Sequence, residues 1–102
     1  MRILEFDVDK QKMTKQGDFS GLIAGSKGYL KARFSFSSEW NGYRKAAVFK
    51  CPTGEYPVLI NGCMCDVPDE AAACTSFKVH VVGKRGGEMI KCAHVTVIQR
   101  RC

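Results

Sequence analysis

Six cysteines, two histidines and one adjacent pair of carboxylates are the residues of this 102-residue chain best suited to bond-making chemistry. Cys51, Cys63, Cys65, Cys74, Cys92 and Cys102 lack the paired C-x-x-C knuckles that characterise a structural zinc site. The closest pair, Cys63-Met64-Cys65, would share a face if carried on a strand, and there could either chelate a metal or fill space beside a turn. Disulfides are the second alternative. Plain reduced thiols are the third and the expected state, because no signal peptide opens the chain and disulfides belong to oxidising compartments. Cys102, at the C-terminus, is expected to be exposed and able to link chains on oxidation. His80 or His94 could serve a cysteine nucleophile as base, but no cysteine lies in a recognisable nucleophile signature. Asp69 and Glu70 follow Pro68, where acids at a helix start account for them electrostatically. The expectation is a protein without catalytic activity, cofactor or bound metal.

Binding chemistry is better supplied. Lysine and arginine outnumber aspartate and glutamate by 16 to 10, a net charge of +6. The segment from Lys78 to Cys102 contributes most of the excess, with six bases against Glu88. Gly83-Lys84-Arg85-Gly86-Gly87 reads as a turn that presents two bases, suited to a phosphate, a nucleotide or an acidic protein surface. Lys84, Arg85, Arg100 and Arg101 are accordingly the candidate residues for an anionic ligand or partner. Gly21-Leu22-Ile23-Ala24-Gly25-Ser26-Lys27 superficially resembles a P-loop, but only three residues separate its glycines and serine precedes the lysine. Tyr29, Trp40 and Tyr43 could stack on bases, although most aromatics occupy alternating core positions, and Trp40 is expected to plug one end of the core.

The elements that must position these residues are almost entirely strands. Ile3–Val8, Leu30–Phe36 and Phe77–Val82 alternate apolar and polar residues at period two. In the second of these, Leu30, Ala32, Phe34 and Phe36 are expected inward, with Lys45–Lys50 as the partner strand. Asp9–Gln16 reads as a polar turn, and the glycines from Gly17 to Gly28 predict loop or short edge strand. Asn61-Gly62, between Tyr56–Ile60 and Cys63–Val67, predicts a type I′ hairpin. Pro68–Ala73 is the one short helical turn, and Glu88–Ile98 completes the last strands with a kink near Cys92. A single domain over residues 1–102 is expected. Its class is all-β, an antiparallel sandwich or small barrel of about seven short strands. The apolar runs are too short for a membrane span, so no membrane partner is expected and the cytoplasm of the producing cell is the default compartment.

Gly28-Tyr29-Leu30 through Phe34-Ser35-Phe36-Ser37-Ser38-Glu39-Trp40-Asn41-Gly42, then Lys45-Ala46-Ala47-Val48-Phe49, Val67-Pro68-Asp69-Glu70 and Phe77-Lys78-Val79-His80-Val81-Val82-Gly83 follow one another in this order. Over about residues 20 to 98 the chain thereby resembles small immunoglobulin-like domains encoded by phages and prophages of Gram-positive bacteria. The resemblance implies a non-enzymatic binding module of the tail or baseplate, with a phage structural protein as partner and incorporation into the virion. A free-standing basic domain made in the infected cell also fits a counter-defence protein that sequesters a signalling nucleotide or blocks a host immune nuclease. A protomer assembling into a homo-oligomer through exposed strand edges is the third expectation.

Overall fold

A computed structural model describes residues 1–101; Cys102 and the expectation placed on it lie outside the described residues. Alternating side chains give nine strands, β1 (Arg2–Asp9), β2 (Lys12–Gln16), β3 (Leu30–Phe36), β4 (Arg44–Cys51), β5 (Gly54–Leu59), β6 (Met64–Asp66), β7 (Ser76–Arg85), β8 (Glu88–Lys91) and β9 (Val95–Ile98). A 3-10 turn, Ser38–Trp40, precedes β4, and one short helix, α1 (Asp69–Ala72), follows Pro68 as the proline and the two acids predict. The architecture is an all-β sandwich. One sheet runs β2-β1-β3-β6; the other runs β5-β4-β7-β8, with β9 also paired to β7.

The sheets meet through their apolar faces. From one come Leu4, Phe6 and Val8 of β1 and Leu30, Ala32 and Phe34 of β3; from the other come Ala47, Phe49, Phe77, Val79, Val81 and Val97, all essentially buried. β1 and β3 run parallel, a departure from the all-antiparallel expectation, with Phe6 opposite Phe34 and Leu4 opposite Ala32. The cause is the intervening hairpin: β2 returns beside β1 on its far edge, and the glycine-rich segment then carries the chain back to the start of β1 before β3 begins. An aromatic column results, with Phe6–Phe34, Phe34–Phe36 and Phe36–Trp40 centroids 5.3, 5.8 and 5.5 Å apart, within the range in which aromatic pairs attract beyond their buried area.

Several local expectations change. Asp9–Gln16 is a turn followed by a true edge strand, polar except for the buried Met13. Lys45–Lys50 does not pair with β3; β4 lies in the opposite sheet between β5 and β7. Asn61-Gly62 does reverse the chain, with Asn61 and Met64 exchanging backbone hydrogen bonds of 3.0 and 3.1 Å. The strands it joins enter different sheets, however, because β5 pairs with β4 while β6 pairs with β3. A turn signal specifies a reversal, not the sheet each arm joins. β7 continues through Lys84 and Arg85, so the final reversal is at Gly86-Gly87.

Trp40 is fully buried and closes one end of the sandwich, its indole N–H donating to the Lys10 carbonyl at 2.8 Å in the β1–β2 turn. It lies against Gly83 of β7, where an added Cβ would come within 3.1 Å of the indole and 3.0 Å of Ile90. The tip of one sheet is thus held on the other. Trp40→Ala is expected to lower unfolding free energy by about 3–5 kcal/mol. Trp40→Phe, which keeps most of the ring and strands the Lys10 carbonyl, should cost about 1–3 kcal/mol. Urea titration checks both; a Trp40→Phe variant as stable as the wild type would mean that the hydrogen bond adds nothing, and losses equal in the two variants that the retained ring adds nothing.

A candidate binding face on the five-stranded sheet

Alternation along β4 and β7 sends Ala47, Phe49, Phe77, Val79 and Val81 into the core and leaves Arg44, Ala46, Val48, Lys50, Lys78, His80, Val82 and Lys84 on the opposite face. The antiparallel register assembles these into rows. Arg44 stands beside Lys84, which faces Met89; Leu59, Ala46, Val82 and Lys91 form the next row; Pro57, Val48 and His80 the third; and Glu55, Lys50, Lys78 and Thr96 the fourth. The face therefore carries five bases, Arg44, Lys50, Lys78, Lys84 and Lys91, against Glu55 alone. Between the bases runs apolar surface, Ala46, Val48, Pro57 and Val82, with Leu59 and Met89 strongly exposed at its margins.

The outer face of the other sheet is electrically different. There Glu5, Asp7, Asp9 and Asp66 stand among Lys12, Lys31 and Arg33. Arg33 pairs with Glu5 at 2.8 Å and Lys31 pairs with Asp66. The five bases of the β4–β7 face form no ion pair among the described residues, whose three pairs all lie elsewhere. Unpaired like charges on one flat surface raise the local potential toward anions without the competition that internal partners would provide.

Two depressions mark this surface. One, of about 360 Å³, is lined by Arg44, Lys45, Ala46, Leu59, Val82 and Lys84. The other, of about 270 Å³, lies toward the opposite end of the strands, lined by Lys50, Cys51, Pro52, Ser76, Phe77, Lys78 and Thr96.

The four bases singled out from the sequence do not meet. Lys84 lies on the basic face, but period two turns Arg85 to the other side of β7. There Arg85 is engaged internally: it pairs with Glu88 at 3.1 Å, donates to the Asn41 carbonyl at 3.4 Å and lies 4.6 Å from the Tyr43 ring centre. The Glu88 hydrogen bond raises its pKa further. Arg100 follows β9, its amide donating to the Leu22 carbonyl and its carbonyl accepting from Ala24. β9 ends opposite Ser76, eight residues of β7 away from Lys84, or roughly 26 Å at the usual rise of a strand. Arg100 and the exposed Arg101 are therefore at the other end of the sandwich. Sequence reasoning missed Arg44, Lys50, Lys78 and Lys91 as site residues; the alternation in β4 announces that Arg44 and Lys50 share a face, but not that β7 adds Lys78 and Lys84 beside them.

The other sequence candidates resolve locally. In the P-loop-like segment the Ala24 and Gly25 amides donate to the Arg100 and Ala72 carbonyls, so they are occupied within the fold. Cys63 is exposed in the turn before β6 and Cys65 is buried, its thiol pushed up to about 12 by burial and then by Asp66. No group of three potential metal ligands occurs among the described residues. The chain matches no protein-family model and no curated protein sequence.

His80 is the titrating group at the middle of the basic face. Burial lowers its pKa first and Lys91 lowers it further; His94 and Lys50 act in the same direction, against Glu55. The folded chain thus binds a proton at His80 less readily than the unfolded chain does. Its stability contribution is present above the ordinary histidine value of 6.5 and is lost as pH falls through the lower folded-state value. His80→Gln is expected to flatten the fall in unfolding free energy between pH 7.5 and 5.5. Urea melts across that interval would reject this assignment if the wild-type and variant slopes coincide.

Proposed function

We propose that this protein is a non-enzymatic, phage- or prophage-encoded binding module, and that the outer face of β5-β4-β7-β8 engages an acidic protein surface. The observation that carries this reading is the charge asymmetry of the sandwich: one outer face is balanced by internal ion pairs, whereas the other holds five unpaired bases interleaved with apolar residues. An acidic protein supplies both carboxylates for the bases and apolar atoms for Leu59, Val82 and Met89; protein interfaces combine such an apolar centre with charged surroundings. The β4–β7 rows contain no phenylalanine, tyrosine or tryptophan on which a nucleic-acid base could stack. Sequestration of a nucleotide by Lys84, Arg85, Arg100 and Arg101 together draws no support from their separation along β7.

The resemblance of the Phe34–Gly42 and Phe77–Gly83 segments to tail and baseplate domains favours a virion protein as the acidic partner. In that setting the chain is made in the bacterial cytoplasm and carried into the particle.

A polyglutamate titration followed by amide NMR tests the face directly. Shifts are expected at Ala46, Val48, His80, Val82 and Lys84, and not at Thr14, Lys31 or Ser35. The double reversal Lys50→Glu/Lys78→Glu should weaken binding about tenfold or more at low salt, with the effect shrinking as salt screens the field. Equal shifts on both sheets, or an unchanged affinity in the reversal variant, would overturn the assignment. Separately, particles induced from a lysogen carrying the gene are expected to contain the chain at fixed stoichiometry by quantitative proteomics. Its absence from purified particles would remove the virion role.

A further inference from the structure

Cys51, the last residue of β4, and Cys74, just beyond α1, are far apart in the chain and meet in the fold. Both thiols point at one backbone oxygen: Cys74 Sγ lies 3.3 Å and Cys51 Sγ 3.9 Å from the Glu70 carbonyl. The Cys51 sulfur also contacts the Thr53 hydroxyl at 3.1 Å, and that hydroxyl is 2.9 Å from the Tyr56 phenol. Cys51 further lines the depression of about 270 Å³, whose wall includes Phe77 and whose bases are Lys50 and Lys78. Cys51 is thus a buried thiol at the wall of an open depression, with hydrogen-bonding groups around it and the Cys74 thiol beside it.

We propose that Cys51 and Cys74 form a reversible dithiol–disulfide site that reacts with low-molecular-weight disulfides of the glutathione type, Cys51 attacking a reagent held in the depression and Cys74 resolving the adduct. The Cys51 thiolate attacks one sulfur of the disulfide, forming a mixed disulfide and releasing one thiolate. Cys74, as its thiolate, then attacks Cys51 Sγ, forming the protein disulfide and releasing the second thiolate. The two protons lost by the cysteines are balanced by those the released thiolates take up, so one external disulfide is reduced to two thiols as the protein dithiol is oxidised. Lys50 and Lys78 suit the carboxylates of such a reagent.

The local electrostatics divide these roles. Burial alone would push the Cys51 thiol up, but the Thr53 hydroxyl and amide, Cys74 and the Gly54 amide outweigh it, and the net displacement is downward. Cys74 moves upward, through burial and then through Cys51. A depressed pKa beside a solvent route distinguishes an attacking cysteine from a structural one. Cys92, buried to a similar degree, is the contrast: it does not line that depression, burial pushes its thiol up, and its sulfur accepts from the Val81 amide at 3.2 Å. The disulfide would tie the end of β4 to α1, whose C-terminal carbonyls at Ala72 and Cys74 are already gripped by the Gln99 side chain at 3.0 and 2.8 Å.

The test uses the full chain carrying Cys63→Ser and Cys102→Ser, incubated with oxidised glutathione, blocked with N-ethylmaleimide and mapped by peptide mass spectrometry. The expected product is a Cys51–Cys74 cross-link two hydrogens lighter than the dithiol. Adding Cys74→Ser should halt the reaction at a glutathione adduct on Cys51, and adding Cys51→Ser should leave Cys74 largely unmodified; near-ultraviolet circular dichroism verifies that each variant is folded. The proposal is overturned if Cys51 remains unmodified under conditions that fully modify Cys63 in the unsubstituted chain. It is also overturned if the Cys74→Ser chain yields no persistent Cys51 adduct.

Discussion

The indole of Trp40 is the contact on which the rest of the sandwich depends. Its ring lies between the two sheets, its N–H is satisfied by the Lys10 carbonyl in the turn of one, and its face meets Gly83 in the central strand of the other. A side chain at Gly83 would crowd the indole, Ile90 and Tyr43, and β7 is the strand to which β4, β8 and β9 all pair. A close-packed interior transmits such a displacement instead of absorbing it. The rows of bases on the far side of β4 and β7 are thus positioned by a contact on their core side.

The same alternation that builds the core creates the charge asymmetry. On β1 and β3 the outward positions carry opposite charges that neutralise one another, as Glu5 and Arg33 do. On β4 and β7 they carry bases and small apolar residues, so β-pairing concentrates positive charge. Exposed ion pairs contribute little to stability. Their presence on one face and absence on the other leaves the positive potential concentrated on the β4–β7 face. Arg85 illustrates the distinction, since its charge is engaged by Glu88 and Tyr43 and fastens the β7–β8 hairpin to the turn before β4.

The cysteines divide along similar lines. Cys65 and Cys92 fill space in the core, whereas Cys51, also buried, ends a strand beside a depression, where the Thr53 hydroxyl and backbone amides stabilise its thiolate. One residue type serves as a small apolar filler in one setting and as a nucleophile in the other, according to burial and hydrogen bonding.

Much of the fold was legible in residue order. The period-two runs in β1, β3 and β7, the helical start at Pro68, the plug at Trp40 and the outward placement of His80 and Lys78 all follow from local patterning, because side-chain direction on a strand repeats every second residue. Sheet membership was not legible: β4 faces β3 across the core instead of pairing with it, β6 leaves its apparent hairpin partner, and β1 and β3 run parallel. Those outcomes are decided by which long-range pairings bury the apolar faces together, and neighbouring residues carry no record of that. The candidate sites divide for the same reason. The sequence by itself determined a basic all-β chain with its bases on alternating positions. Only the tertiary structure decided that Lys84 and Arg85 face opposite ways, that Arg44, Lys50, Lys78, Lys84 and Lys91 share one surface, and that Cys51 lies beside Cys74, because register and chain closure, not spacing, bring distant residues together.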